Sequence, residues 1–266
     1  MVHLKKTLLI VVSIVFVACS GDNSIDATVV QIEPRTVEDV TADFLSLDIQ
    51  PGVNDFSLES LERGRFWNFR VIAPAEASEN NRRPLVIALH GASGGSATAH
   101  QNTSCYVEPG LAALDAFIIS PNAGTEQWYD AINQNQVVAL TDLARTHWFV
   151  DTEKVLVTGY SNGGNASWLY ADIFSQFFTA SIAMASSYDP ERADGSISTF
   201  SIPIYVIHSN SDELFPVSQT EIFVNKAISA GSEVEFVIVD GLSHYTPCEY
   251  VTHFQEAVNW VVINVW

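Results

Sequence analysis

The stretch Gly159-Tyr160-Ser161-Asn162-Gly163-Gly164 restricts what this chain can become more than any other. The apolar run Val155-Leu156-Val157-Thr158 leads into it, and a helix-compatible segment, Asn165 to Ile173, leads out. A serine between a buried strand and a helix must sit on a very sharp turn. Side chains on both flanks of that turn would collide, so glycine belongs at 159 and 163. Ser161 would then project its hydroxyl past the strand end, above a helix N-terminus that favours developing negative charge. The bland alternative is a plain glycine-rich strand-to-helix turn; the strand before and the helix after weigh against it.

At 266 residues the chain can build one large core. Strands alternating with helices along most of it predict a single α/β domain with a mostly parallel sheet and helices on both faces. Hydrophobic residues at 47% exclude a disordered chain. With 12 basic against 31 acidic residues the net charge is −19, which repels nucleic-acid phosphates and anionic lipid surfaces. A nucleic-acid partner is therefore not expected.

The first residues read as a targeting segment. Lys5 and Lys6 form a positive start, and Leu8 to Ala18 are apolar but too few to span a bilayer as a mature helix. Bulky Phe16 disfavours ordinary signal cleavage. The segment resembles a bacterial lipoprotein signal, which implies lipidation of Cys19 and attachment through that lipid alone, and Ser20 after it implies the outer membrane of a Gram-negative cell. Simple secretion or an uncleaved anchor are the alternatives. Expected domain limits are 1–18 for the signal, 19–55 for an acidic tether and lead-in, and 56–266 for the folded domain. In an exported chain disulfides persist, so Cys105 and Cys248 form a bond that would hold the loop after His244, or remain two buried thiols.

Phe56-Ser57-Leu58 and Arg65 to Ala73 read as an antiparallel edge pair turning at Gly64. Leu85 to Leu89 is an unbroken apolar run suited to a central parallel strand, and it ends in His90-Gly91-Ala92-Ser93-Gly94-Gly95. Ligands of open α/β sheets bind beyond such strand ends. No lysine follows the glycines, so a phosphate loop fails. A short helix is expected over Leu111 to Leu114, a strand over Ala116 to Ser120, and a helix from about Gln134 to Thr146. Trp128 and Tyr129 precede that helix and could line a substrate cleft or pack in the core. Three more strands, Ala180 to Ala185, Ile204 to His208 and Val234 to Val239, are followed by the loops carrying Asp189, Asp212 and His244, with a closing helix from about Glu249 to Val262.

A serine hydroxyl is a poor nucleophile until a base takes its proton, and the base needs a carboxylate to fix its tautomer. Of seven histidines, His244 is the one in a loop just past the last strand; the others lie in the signal, beside the glycine loop, away from the late strands, inside a strand or on the closing helix. Asp212 follows the penultimate strand closely. Asp189 is a minority alternative, and Asp240 is too near its strand end.

With the glycine loop, the serine turn, the block His208 to Pro216 and Gly241-Leu242-Ser243-His244 in place, residues 56–266 resemble the polyhydroxybutyrate-depolymerase-like esterases, relatives of feruloyl and acetylxylan esterases. The resemblance implies an α/β-hydrolase fold, with Ser161, Asp212 and His244 in that chain order as nucleophile, acid and base. It implies an oxyanion hole from the backbone amides of Ala92, or Ser93, and of Asn162. The gap between residues 188 and 202 is too short for the cap domain often inserted there. Two departures, Ala92-Ser93 in the oxyanion loop and Tyr245 after the histidine, bear on polymer specificity. The expectation is an exported serine carboxylester hydrolase acting as a monomer on a small or polymer-linked ester, without metal or organic cofactor. An exported serine peptidase and an inactive surface binding lipoprotein on the same fold are the alternatives.

Overall fold

A computed structural model describes residues 33–266. The signal segment and Cys19 lie outside the described residues. Within them eight strands form one sheet: β1 (Gly52–Glu59), β2 (Phe66–Ala73), β3 (Arg83–Leu89), β4 (Phe117–Pro121), β5 (Val150–Tyr160), β6 (Ala180–Met184), β7 (Ile204–Ser209) and β8 (Val234–Val239). Their spatial order is β1-β2-β4-β3-β5-β6-β7-β8. β1, β2 and β4 pair antiparallel, and every pairing from β4 through β3 to β8 is parallel. The expected edge pair, serine strand and three late strands all appear, as does the mostly parallel sheet.

The central strands are apolar on both faces because both faces are covered. In β3, Leu85, Ile87 and Leu89 join one core cluster, while Val86 and Ala88 join the other. Alternation of period two sends them apart. The first cluster packs against α1 (Val37–Leu45), α3 (Ala131–His147), α4 (Asn162–Ile173) and α5 (Val217–Ser229). The second packs against α2 (Val107–Leu111) and α6 (Val251–Asn264).

Three expectations change. The described part of the lead-in, residues 34–55, is part of the fold: α1 is capped by Thr36 and Asp39 in a reciprocal capping box, and its Phe44 is 1% exposed and stacks on Trp148. The acidic first turn that looked like linker composition instead complements the helix dipole. β1 likewise begins at Gly52, before Phe56. The short helix after the glycine loop lies earlier, at Val107–Leu111, where Gly110 packs against the Phe254 ring of α6 with no room for a side chain.

Parallel strands bring their carboxyl ends to one edge. His90, Ser161, Asp212 and His244, which follow β3, β5, β7 and β8, therefore share that edge. β3 has β4 on one side and β5 on the other, so chain order reverses there and a crevice opens beyond its end. Residues 185–203 pass from β6 to β7 with one isolated bridge and no helix, so this connection carries no cap domain.

Candidate active site

Ser161 stands between β5 and α4 at φ 56°, ψ −121°, a backbone region that costs a non-glycine residue energy. The surroundings force it. The Ser161 amide donates to the Met184 carbonyl at 3.0 Å, and the Asn165 amide returns to the Ser161 carbonyl at 2.9 Å. A side chain at Gly159 would run into the backbone of Gly163, and one at Gly163 into the backbone of Leu89 and His90. Strand and helix thus approach as closely as backbones can.

Ser161 Oγ lies 2.8 Å from His244 Nε2, and His244 Nδ1 lies 2.9 Å from Asp212 Oδ2. These are the two links a serine–base–acid relay needs. The Asp212 side chain is wholly buried; its Oδ1 accepts from the amides of Leu214 and Phe215 at 2.8 and 2.7 Å. Three hydrogen bonds offset the cost of burying that carboxylate. Asp189 instead pairs with Lys226, and Asp240 with Asn210.

His208 was set aside as a strand residue, yet it reaches this site. Its ring is wholly buried, facing the carbonyls of Ser186 at 3.1 Å and Phe215 at 2.7 Å, and lies 3.9 Å from Asp212 Oδ2. It braces the loop that carries the acid.

His90 holds the glycine loop. Its Nδ1 donates to the Gly91 carbonyl at 2.6 Å, and its Nε2 accepts from the Ala123 amide at 3.1 Å. Burial holds this imidazole below its ordinary pKa, which keeps it the neutral ring this pattern needs. Because carbonyl and N–H point opposite ways in a trans peptide, tying back the Gly91 carbonyl turns the Ala92 N–H away from His90. Asn162 is the first residue of α4, so its amide has no partner inside the helix. Ala92 and Asn162 both line a small open cleft of about 180 Å³, together with Ala123 to Gln127. The Asn162 side chain donates to Gln127 Oε1 at 2.9 Å across it.

Trp128 does not line that cleft. It is 1% exposed, its Nε1 donates to the His90 carbonyl at 2.9 Å, and its ring meets His90 edge-on. Only the adjacent Tyr129 is exposed, and Gln127 takes the lining position. An indole needs a buried acceptor for its N–H, and the glycine loop supplies one.

Cys105 and Cys248 form a disulfide with Cα atoms 4.9 Å apart, joining the start of α2 to the loop after His244. Two further residues that sequence reasoning passed over touch His244. The Tyr160 hydroxyl donates to the His244 carbonyl at 2.7 Å, and Glu213 accepts from the His244 amide at 2.8 Å and the Ser243 hydroxyl at 2.8 Å. The signals available were only a tyrosine inside the glycine turn and a second acid next to Asp212.

Sheet order, the serine turn and the edge that gathers these groups define an α/β-hydrolase fold. Within that class the chain belongs to the dienelactone hydrolase family, whose sequence model matches residues 77–250. Among solved structures it is similar to a thermostable esterase, at 20% identity and a TM-score of 0.66 over 79% of this chain and 62% of that one. It is similar to FphF, a Staphylococcus aureus fluorophosphonate-binding serine hydrolase, at 14% identity and 0.64 over 81% of this chain and 100% of that one. It also resembles the Pyrococcus horikoshii acylaminoacyl peptidase, at 15% identity and 0.60, over 80% of this chain but only 41% of that one. The chain thus spans less than two thirds of the esterase and of the peptidase. No curated protein sequence matches it.

Proposed function

We propose that this protein is an exported serine hydrolase that cleaves carboxylic esters. The observation that carries the proposal is the unbroken relay from Ser161 Oγ through His244 to Asp212, at 2.8 and 2.9 Å. In the proposed cycle His244 Nε2 takes the Ser161 proton as Oγ attacks the carbonyl carbon. The carbonyl π pair moves onto oxygen, and the amides of Ala92 and Asn162 hold that oxyanion. Collapse breaks the carbon–oxygen bond to the alcohol, which leaves with the proton from His244. Water, deprotonated by the same ring, then attacks the acyl-serine and returns Ser161. Asp212 fixes the tautomer and balances the imidazolium formed in each half.

Export is supported by the lipoprotein-like start and by the disulfide, since such bonds persist in oxidising compartments. We place the lipid on Cys19 and the protein at the outer membrane, with the enzyme acting as a monomer. Mass spectrometry of the intact protein from a Gram-negative host tests the first point: a diacyl- or triacyl-modified Cys19 supports it, and an unmodified mature chain overturns it.

A cleft of about 180 Å³ without a cap suits short acyl groups rather than long aliphatic ones. The narrower likeness to polyhydroxybutyrate and feruloyl esterases fits the open edge and is a question for substrate trials. The test is a panel of acetyl, butyryl and octanoyl p-nitrophenyl esters, methyl ferulate, a hydroxybutyrate oligomer and a peptide anilide. Acetyl or butyryl ester should be fastest, and Ser161→Ala should lower that rate by about 10³-fold or more with thermal stability retained. Faster peptide-anilide cleavage would transfer the assignment to a peptidase. Absence of both turnover and fluorophosphonate labelling in folded protein would favour a binding protein.

A further inference from the structure

Four contacts from two separate parts of the chain converge on one residue, His244. Two reach its ring, from Ser161 and Asp212. Two reach its backbone: the amide is held by Glu213 and the carbonyl by Tyr160. The second pair is built for the purpose. Glu213 is adjacent to the acid, so one turn after β7 grips the histidine at both ring and main chain. Tyr160 is adjacent to the nucleophile, so the end of β5 does the same from the other side. Tyr160 is 4% exposed, and its ring packs on those of Tyr106, Tyr250 and His244, which leaves its hydroxyl one direction to point.

We propose that Glu213 and Tyr160 are positioning residues for His244, fixing the peptide units on both sides of the ring so that one rotamer reaches Ser161 and Asp212 together. The proposal rests on reading His244 as the catalytic base. The loop 240–246 has no regular secondary structure, so nothing in its own backbone ladder sets the height of the ring. Without the two clasps the Cα of His244 can shift while Asp212 keeps its buried seat. A misplacement of about 1 Å in such a relay costs on the order of 10²-fold in rate.

Glu213 also contributes charge. Its carboxyl is held below the usual range, chiefly by the His244 amide and then by the Ser243 hydroxyl, and it faces the imidazole electrostatically. The other charged or titratable groups around the ring are Asp212 on the same turn, His208 behind Asp212 on β7, Tyr160 against the ring with Tyr250 behind it, and Tyr245 edge-on to the ring.

The experiment compares Glu213→Ala, Glu213→Gln and Tyr160→Phe with wild type, using the p-nitrophenyl ester turned over fastest. Glu213 is largely exposed and Tyr160→Phe keeps the ring, so all three should fold; thermal unfolding by circular dichroism checks this. Glu213→Ala and Tyr160→Phe should each lower kcat by about 10- to 10²-fold with KM within about twofold of wild type. Glu213→Gln keeps an acceptor for the amide and should recover most of kcat. Wild-type kcat in all three variants, or a loss expressed mainly in KM, overturns the proposal.

A second readout separates this failure from failure of the functional reading. In ¹⁵N-histidine-labelled Ser161→Ala protein, the downfield Nδ1 proton held by Asp212 should be sharp. It should stay sharp with Glu213→Gln added and broaden with Glu213→Ala added. A sharp signal in both overturns the positioning role whatever the enzyme hydrolyses. Broadening with Glu213→Ala alone supports that role even if the ester panel is silent.

Discussion

The two halves of the relay are fixed by different physics. Ser161 is placed by contact between backbones: a six-residue stretch crowds Gly159, Gly163 and Leu89 until a strained serine is the remaining arrangement. His244 is placed by side chains reaching in from residues 160, 212 and 213 and by a disulfide from 105. The first device is rigid, tolerates no added atom, and takes its crowding both from within the turn and from the end of β3. The second is assembled from a distance, tolerates partial loss, and can be tuned. Backbone crowding sets where the nucleophile stands; side-chain contacts set how well the base is aligned to it.

The sharpest way to break this contrast is Gly163→Ala. Its Cβ would overlap the backbone of Leu89 and His90, so the protein should fail to accumulate in soluble, folded form. A folded variant with wild-type melting behaviour would show that the turn can relax as readily as the loop.

Removing the disulfide by Cys105→Ala with Cys248→Ala tests the other side. It should lower unfolding free energy in urea by about 2–4 kcal/mol. Hydrogen-exchange protection should fall across residues 243–250 and hold across 155–165. Equal loss in both segments would mean that the elbow depends on the histidine loop.

A smaller effect is expected from Trp128→Phe, which leaves the buried His90 carbonyl without its donor. The cost should be about 1–3 kcal/mol of stability, with KM for a short ester unchanged. A raised KM with unchanged stability would return Trp128 to the substrate cleft.

The gentlest prediction concerns pH. Burial holds His90 and His100 below their ordinary value of 6.5 in the folded protein. Both are neutral in folded and unfolded chains above about pH 6.5, and there the stability they permit is fully present. As pH falls below that value the unfolded chain binds protons first, so stability falls with pH. Urea midpoints at pH 7.5, 6.5 and 5.5 should decline in that order, and His100→Asn should flatten the decline. Glu213, Asp39 and Asp55 are carboxyls held below their usual range, so they lose their contribution only in more acid solution. A decline absent between pH 6.5 and 5.5 would remove the histidines from the account.

Much of this was readable beforehand. Apolar runs such as Leu85 to Leu89 and Val155 to Val157 identify buried strands because both their faces must be covered. Other features were not readable. The acidic segment before residue 55 looked like tether because charge is conspicuous in composition, whereas Val40 and Phe44 reveal themselves only when a core is there to receive them. Trp128 looked available to substrate because its position follows a strand end, but its N–H had a nearer acceptor in His90. Whether Cys105 and Cys248 meet depends on α2 and α6 packing together across 143 residues of chain.

The sequence by itself determined the elbow and the chain order of serine, acid and base, because the exclusion between Gly159 and Gly163 and hydrophobic periodicity act between residues close in sequence. Tertiary structure alone decided that His208 backs the acid, that Glu213 and Tyr160 clasp the base, and that Trp128 supports the glycine loop. Those contacts join residues up to 84 positions apart through side-chain directions that exist only once eight strands have set their register.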